Sequence, residues 1–259
     1  MKKRINIFIL YLSFWYLLFV LARIAFLITY LNKTLQLPVS EVFETFFYGF
    51  KLDIAIASYL VFIPFLFLTF TSFVRNKLIK YIFHIYTFIA LFACTIIISG
   101  DLFMYGHWGF RLDATPLFYM TNVKATTASV STITLVGGLL AVIILVAVLF
   151  FSYLKIFGSL FNSLQKDLKA VYVLLPLTLL LAIVMRGGIG IASLTTSTAY
   201  FSKHQFANHA AINPVWNVGF SITESDDLHR KYIYFTVQEM QKLLTPLQRP
   251  NETGIKLLR

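Results

Sequence analysis

Three ionisable residues lie inside or at the ends of long apolar runs, where an unpaired charge is costly. Arg23 lies within the first run, Asp53 follows the start of the second, and Asp101 ends the third. Side chains of this kind usually face the interior of a helix bundle and pair there. We therefore predict a buried polar cluster in which Arg23 pairs with Asp53 or Asp101. The cluster is either a packing clamp, with a snorkelling arginine as a variant, or a polar pocket for part of a lipid headgroup.

The stretch 101–117 combines aromatic, glycine, histidine, arginine and aspartate side chains after the third apolar run. A guanidinium matches phosphate geometry with two parallel hydrogen bonds, and tryptophan favours the headgroup level of a membrane. Asp113 could orient the neighbouring Arg111 or cap the next turn. A loop packed on the bundle without a ligand is the alternative. The candidate lipid-binding residues are Arg111, Arg186, Trp108, His107 and Asp113.

No catalytic residue and no metal site is predicted from local motifs. The chain has no nucleophile elbow, P-loop or HExxH pattern. His204 and His209 are five residues apart and lack ligand spacing with carboxylates, so we interpret both as surface or packing residues. For His84, near the inner end of the third run, a hydrogen-bonded interfacial role is favoured over a proton relay.

The elements that must position these residues are membrane-spanning helices. The sequence is 58% hydrophobic and 13% charged, against about 45–50% and 25% in soluble domains, which excludes a soluble globular protein. Five apolar runs approach the roughly 20 residues that cross a bilayer. We predict an all-α polytopic membrane bundle, with residues 1–186 as the membrane domain. The predicted spans are 5–31, 52–74, 81–99, 132–153 and 170–185.

Basic residues in the short loops predict the orientation of the chain. Nine Lys and Arg residues lie on the side of the N-terminus and four on the other side. The N-terminus is therefore predicted to be cytoplasmic, and with five spans residues 187–259 lie outside as a juxtamembrane linker. The net charge of +11 is explained by this orientation, so no nucleic-acid partner is predicted.

Residues 38–50 (PVSEVFETFFYGF) carry apolar side chains at nearly helical spacing. The pattern predicts a helix lying at the outer interface, with its apolar face turned to lipid or to the bundle. An N-terminal extension of the second span explains the same pattern equally well.

Several short motifs, taken in order, resemble the membrane half of lipoteichoic acid synthase-like proteins. These are membrane-anchored, sulfatase-like phosphoglycerol transferases of the alkaline phosphatase superfamily. The resemblance covers essentially the whole chain. It is carried by Arg23, 49–53 (GFKLD), 108–113 (WGFRLD), 186–188 (RGG), 199–202 (AYFS), Asn208, 211–217 (AINPVWN) and 232–235 (YIYF).

The resemblance implies a domain that anchors an enzyme and presents a lipid at the outer face of a bacterial cytoplasmic membrane. Its partners would be membrane lipids with anionic headgroups and a sulfatase-like catalytic domain, in cis or in trans. That domain would use a divalent metal such as Mn²⁺, and neither its nucleophile nor its metal ligands have counterparts in this sequence. A stand-alone binding or regulatory module is the second hypothesis, and a small transporter is the third.

Overall fold

All regular structure in the described part of the chain is helical. The computed structural model describes residues 2–73, 77–116, 131–161, 166–190, 193–231 and 237–248. Five of its helices are long and apolar enough to cross a membrane, which confirms the predicted fold class. The helices are α1 (Lys2–Thr29), α2 (Leu31–Thr34), α3 (Val39–Phe70), α4 (Lys77–Trp108), α5 (Thr132–Phe157), α6 (Val171–Arg186), α7 (Gln205–Ala211), α8 (Pro214–Lys231) and α9 (Val237–Gln248).

The helices α3 and α4 are longer than a bilayer requires. Each has 32 residues, about 48 Å at 1.5 Å per residue, whereas the hydrocarbon core is about 30 Å thick. Residues 39–50 continue without a break into the second span, so the structure has the extension and not a separate interfacial helix. Pro38 directly precedes this helix, where its fixed φ and missing N–H are tolerated.

Consecutive spans run antiparallel, as polar contacts at their ends show. Arg4, near the start of α1, donates 3.0 Å to the carbonyl of Thr71 just after α3. His84, in the first turns of α4, shares a 2.8 Å hydrogen bond with the Tyr153 hydroxyl near the end of α5. We call the end that contains Arg4 and Thr71 the inner end, and the opposite one the outer end.

The centre of the bundle is filled by large aromatic side chains. Tyr11, Trp15 and Phe65 are completely or almost completely buried, and the rings of Phe8 and Phe65 stack with centroids 4.0 Å apart. Aromatic side chains of this size supply much of the packing contact available between helices. In contrast, α5 buries only Val146 and residues of its last turns, so its outer half faces away from the other helices.

The buried face of α3 changes at about Asp53. Towards the inner end α3 buries Val61 and Phe65, whereas towards the outer end it buries Thr45 and Gly49. At 100° per residue these two sets point to different sides of the helix. The inner part of α3 therefore packs within the bundle, and the outer part packs both against Arg23 of α1 and against the segment that follows α6.

That segment turns back onto the bundle at Gly187. The residue has φ of +91°, and the N–H groups of Gly187 and Gly188 bond to the carbonyls of Val184 and Ile183 at 2.9 Å, which is the hydrogen-bond pattern of a Schellman motif. A Cβ at Gly187 would lie 2.8 Å from that of Leu194. The tight turn thus brings residues 193–220, which we call the docked segment, against the helices.

The chain divides into two compact units, Met1–Phe220 and Ser221–Arg259. The first unit includes the docked segment, so it runs beyond the boundary at residue 186 that the change in composition suggests. In the second unit, the described residues belong to the remainder of α8 and to α9. The exposed side chains of α9 include Met240, Leu243 and Leu244.

Candidate functional site

A layer of buried polar side chains lies at the outer end of the bundle. The guanidinium of Arg23 on α1 donates from Nη2 to Oδ2 of Asp53 on α3 at 2.6 Å, and both side chains are almost fully buried. The Nη1 atom of Arg23 donates to the carbonyl of Ala210 in α7. Two spans and the docked segment therefore share one guanidinium.

The second oxygen of Asp53 continues this network to α8. Asn213 donates from Nδ2 to Asp53 Oδ1 at 2.8 Å, while its own Oδ1 accepts from the backbone N–H groups of Val215 at 2.9 Å and Trp216 at 3.1 Å. The Asn213 side chain is thus the N-cap of α8, satisfying donors that a helix start leaves open. We call the series Arg23–Asp53–Asn213 the polar relay.

Gly49 makes room for the polar relay on α3. A Cβ at this position would overlap the Arg23 guanidinium. Only glycine lets the helix backbone approach so closely. The sequence motif 49–53 therefore contains both the space for the arginine, at Gly49, and its counter-ion, at Asp53.

A second buried ion pair joins Asp101 to Arg111. Asp101 accepts from Arg111 Nη2 at 3.1 Å and from the backbone N–H of Leu112 at 2.8 Å. The guanidinium carbon of Arg111 lies 4.0 Å from the centroid of the Phe26 ring, a cation–π arrangement. Burial lowers the pKa of Arg111, and the Asp101 carboxylate opposes that shift.

Arg111, which the sequence predicts as a phosphate ligand, lies in this buried ion pair. Its side chain is 4% exposed, because the carboxylate at the end of α4 and the Phe26 ring draw the loop inward. Asp113 does not orient it; its Oδ1 accepts from the backbone N–H of Thr115 at 2.8 Å. The turn-capping alternative is thus what the structure has for Asp113.

Asn217, one turn beyond Asn213, holds the loop after α4 against α8. Its Nδ2 donates to the carbonyl of Leu112 at 2.8 Å, and its Oδ1 accepts from the Thr196 hydroxyl at 3.2 Å. The start of α8 is consequently fixed from two sides, by the polar relay and by this loop.

His209 is a buried member of the same layer. Its Nδ1 shares a 3.0 Å hydrogen bond with the Tyr105 hydroxyl of α4. Burial, followed by the positive charges of Arg111 and Lys33, lowers the pKa of His209 to about 4. The ring is therefore neutral at physiological pH and adds no further cation beside the two arginines.

A third set of contacts fastens the docked segment to the first turns of α3. Glu41 accepts from the Ser202 hydroxyl at 2.6 Å and contacts Nδ1 of His204 at 3.0 Å. The rings of Tyr48 and Phe201 stack 4.6 Å apart and nearly parallel. His204 is exposed, so this pair contributes less to stability than the buried ones.

The remaining candidate residues stay at the surface. His107 is exposed, and its Nδ1 lies 3.2 Å from the carbonyl of Phe103. Trp108 is 37% exposed and stacks on Phe110 with ring centroids 5.4 Å apart. Arg186 is exposed in the last turn of α6. These residues form the outer rim, which we define as His107, Trp108, Phe110 and Arg186.

The described ranges contain no group of three or more His, Cys, Asp or Glu side chains arranged to hold a metal ion. They therefore do not fit the manganese site that the resemblance implies for a catalytic domain. Comparisons with protein-family models, with curated proteins and with solved structures find no match.

Sequence reasoning missed Asn213, Asn217 and His209 as members of the site. Asn213 and Asn217 occur in the motif 211–217, yet nothing in that motif names Asp53 or Leu112 as a partner. A signal exists only for Asn213, which directly precedes Pro214, because Asn at an N-cap followed by Pro at the first helical position is a frequent helix start.

Proposed function

We propose that this chain is a membrane-anchoring domain that holds its docked segment at the outer face of a bacterial cytoplasmic membrane. The observation that carries the proposal is the polar relay, through which two spans and the start of α8 share one buried ion pair. A linker that only connected two parts of a protein would not need such contacts with the spans.

The orientation rests on the distribution of charge. The nine-to-four excess of basic residues puts the N-terminus in the cytoplasm. Five antiparallel spans then put the outer end, with the docked segment, on the extracytoplasmic side.

The anchored activity is a sulfatase-like phosphoglycerol or phosphoethanolamine transfer, carried out by a catalytic domain in cis or in trans. The resemblance in the short motifs between Arg23 and residues 232–235 supports this part of the proposal. The domain presents the lipid substrate: the aromatic rings of Trp108 and Phe110 lie at headgroup level, and Arg186 contacts anionic headgroups. Anchoring raises the effective concentration of lipid near the enzyme.

A stand-alone regulatory module that partners a separate enzyme is the second candidate, favoured by the compactness of the first unit. The adjacent gene distinguishes the two candidates. A sulfatase-like domain encoded directly downstream supports the anchoring domain of a divided enzyme, whereas an intact enzyme with its own spans supports a regulatory module.

Native mass spectrometry of the purified chain with phosphatidylglycerol or phosphatidylethanolamine tests the lipid-presenting role. We expect Arg186→Ala to lose phosphatidylglycerol adducts that the wild type retains. Lys155→Ala removes an exposed basic residue near the inner end and should leave the pattern unchanged. Identical adducts in all three proteins would contradict headgroup binding by the outer rim.

A further inference from the structure

The polar relay joins a buried charge inside the bundle to the first turn of α8. We propose that Asn213 is a positioning residue: docking of the α8 start depends on a complementary hydrogen bond between the side chains at positions 213 and 53, the latter being the carboxylate that also pairs with Arg23. The inference deepens the anchoring part of the proposed function and rests on it, but it does not depend on which lipid or enzyme is involved.

The chemistry of Asn213 makes this coupling specific. Its amide offers a donor on one side and an acceptor on the other, and both are used: the donor by Asp53 and the acceptor by two N–H groups of α8. An aspartate in its place would keep the cap but lose the donor. The carboxamide thus satisfies the helix start and Asp53 at the same time.

Both carboxylate oxygens of Asp53 also accept hydrogen bonds. One of its oxygens accepts from Arg23 and the other from Asn213, so a change at either partner leaves a buried carboxylate oxygen without a donor. A buried charge that loses a partner is expensive, because neither water nor the low-dielectric interior replaces the lost hydrogen bond. The free energy of the pair is therefore linked to the position of α8.

Trp216 provides a built-in reporter of this position. It is buried in a cluster with Leu52 and Ala55 of α3 and lies 6.1 Å from the Tyr59 ring. Trp15 is completely buried in the centre of the bundle and reports whether the bundle is folded. Fluorine NMR of the full chain labelled with 5-fluorotryptophan, in lipid nanodiscs, therefore separates undocking of α8 from unfolding. The chain has three tryptophans, so Trp216→Phe and Trp108→Phe assign the signals of Trp216 and Trp108, and the remaining signal is that of Trp15.

The decisive variants exchange the two side chains of the relay. Asn213→Asp keeps an acceptor for the cap but turns an oxygen towards Asp53. The double variant Asp53→Asn/Asn213→Asp conserves charge and reverses the hydrogen bond, with the amide now on α3. We expect Asn213→Asp to increase the solvent-exposed Trp216 population about 10- to 100-fold, the range that loss of a hydrogen bond to a charged group produces, and the double variant to restore most of the docked signal.

Asn217→Asp is the matched control, because its amide donates to a backbone carbonyl and not to a carboxylate. The double variant Asp53→Asn/Asn217→Asp should not restore the docked Trp216 signal. An unchanged Trp216 signal in Asn213→Asp, or a double variant no better than the single ones, would overturn the proposal. Loss of the Trp15 signal together with that of Trp216 in Asn213→Asp would also overturn it, because the relay would then be only a clamp for folding. The lipid adducts, measured separately, report on the proposed function itself.

Discussion

Gly49 is the residue on which the Arg23–Asp53 pair depends most directly. The guanidinium occupies the volume that any larger side chain at this position would need. We expect Gly49→Ala to lower stability by about 1–3 kcal/mol, the usual cost of overpacking, measured as thermal unfolding in detergent. Gly138→Ala, in α5 with open space around it, is the matched control and should not destabilise, because alanine favours helices over glycine.

The lowered pKa of His209 predicts that the free energy of unfolding depends on pH. Its pKa of about 4 lies below the ordinary value of 6.5, so the unfolded chain binds the proton more readily between these two values. Stability from this residue is therefore complete above pH 6.5 and decreases as the pH falls towards 4. In thermal melts across this range, His209→Gln should weaken the dependence. His204→Gln, at an exposed site, should retain it, and identical profiles for wild type and His209→Gln would contradict the assignment.

At the scale of elements, α1 and α3 are held together at both ends by arginines, Arg4 at the inner end and Arg23 at the outer end. Removing one partner of a buried pair costs about 3–5 kcal/mol, whereas replacing both with apolar groups is often close to neutral. We expect Arg23→Leu to be clearly less stable in detergent than Arg23→Leu/Asp53→Leu. Equal melting of both variants and the wild type would show that the pair contributes nothing to holding these helices.

The sequence predicts some parts of this arrangement well and others not at all. Arg23 and Asp53 are recognisable because a charge within an apolar run needs a partner at the same depth. The burial of Arg111 is not recognisable in the sequence, because its loop has the composition of an exposed segment. The structure shows that Arg111 pairs with Asp101 and is buried there. Asn213 is the hardest, since its partner lies 160 residues away and an asparagine in a polar segment carries no signal of burial.

The bounds of the helices are also predicted only in part by the sequence. Composition locates five spans, since the apolar runs have the length that a bilayer requires. It does not show that α3 begins at Val39, because helical spacing in residues 38–50 fits both an interfacial helix and an extended span. The unbroken helix from Val39 to Phe70 removes that ambiguity.

For the molecule as a whole, the length of α3 predicts that the polar layer lies near one boundary of the membrane. Eighteen residues separate Asp53 from Thr71 at the inner end, about 27 Å along a helix, which is close to the thickness of the hydrocarbon core. The outer turns of α3 then extend past the core, with Phe43 and Phe47 exposed by 71% and 75%. Exposed apolar side chains of this size are typical of a surface that contacts a membrane or a partner.

The sequence contains no nucleophile elbow, P-loop or HExxH pattern, which predicts that the purified chain has no transferase activity of its own. The purified chain should release no glycerol phosphate from phosphatidylglycerol, with or without Mn²⁺, because transfer would be the task of a separate catalytic domain. Measuring the released product over a range of Mn²⁺ concentrations checks this. Metal-dependent turnover would contradict the anchoring role and identify an active site in this chain.

We propose that the outer end, with its docked segment, faces the extracytoplasmic side. Labelling of single cysteines with a membrane-impermeant maleimide tests this orientation, in a Cys94→Ser background, since Cys94 is buried. Lys203→Cys in the docked segment and Lys3→Cys near the N-terminus are both exposed positions. The proposal predicts labelling of Lys203→Cys in intact spheroplasts and of Lys3→Cys only after permeabilisation. The reverse pattern, or equal labelling of both before permeabilisation, would contradict it.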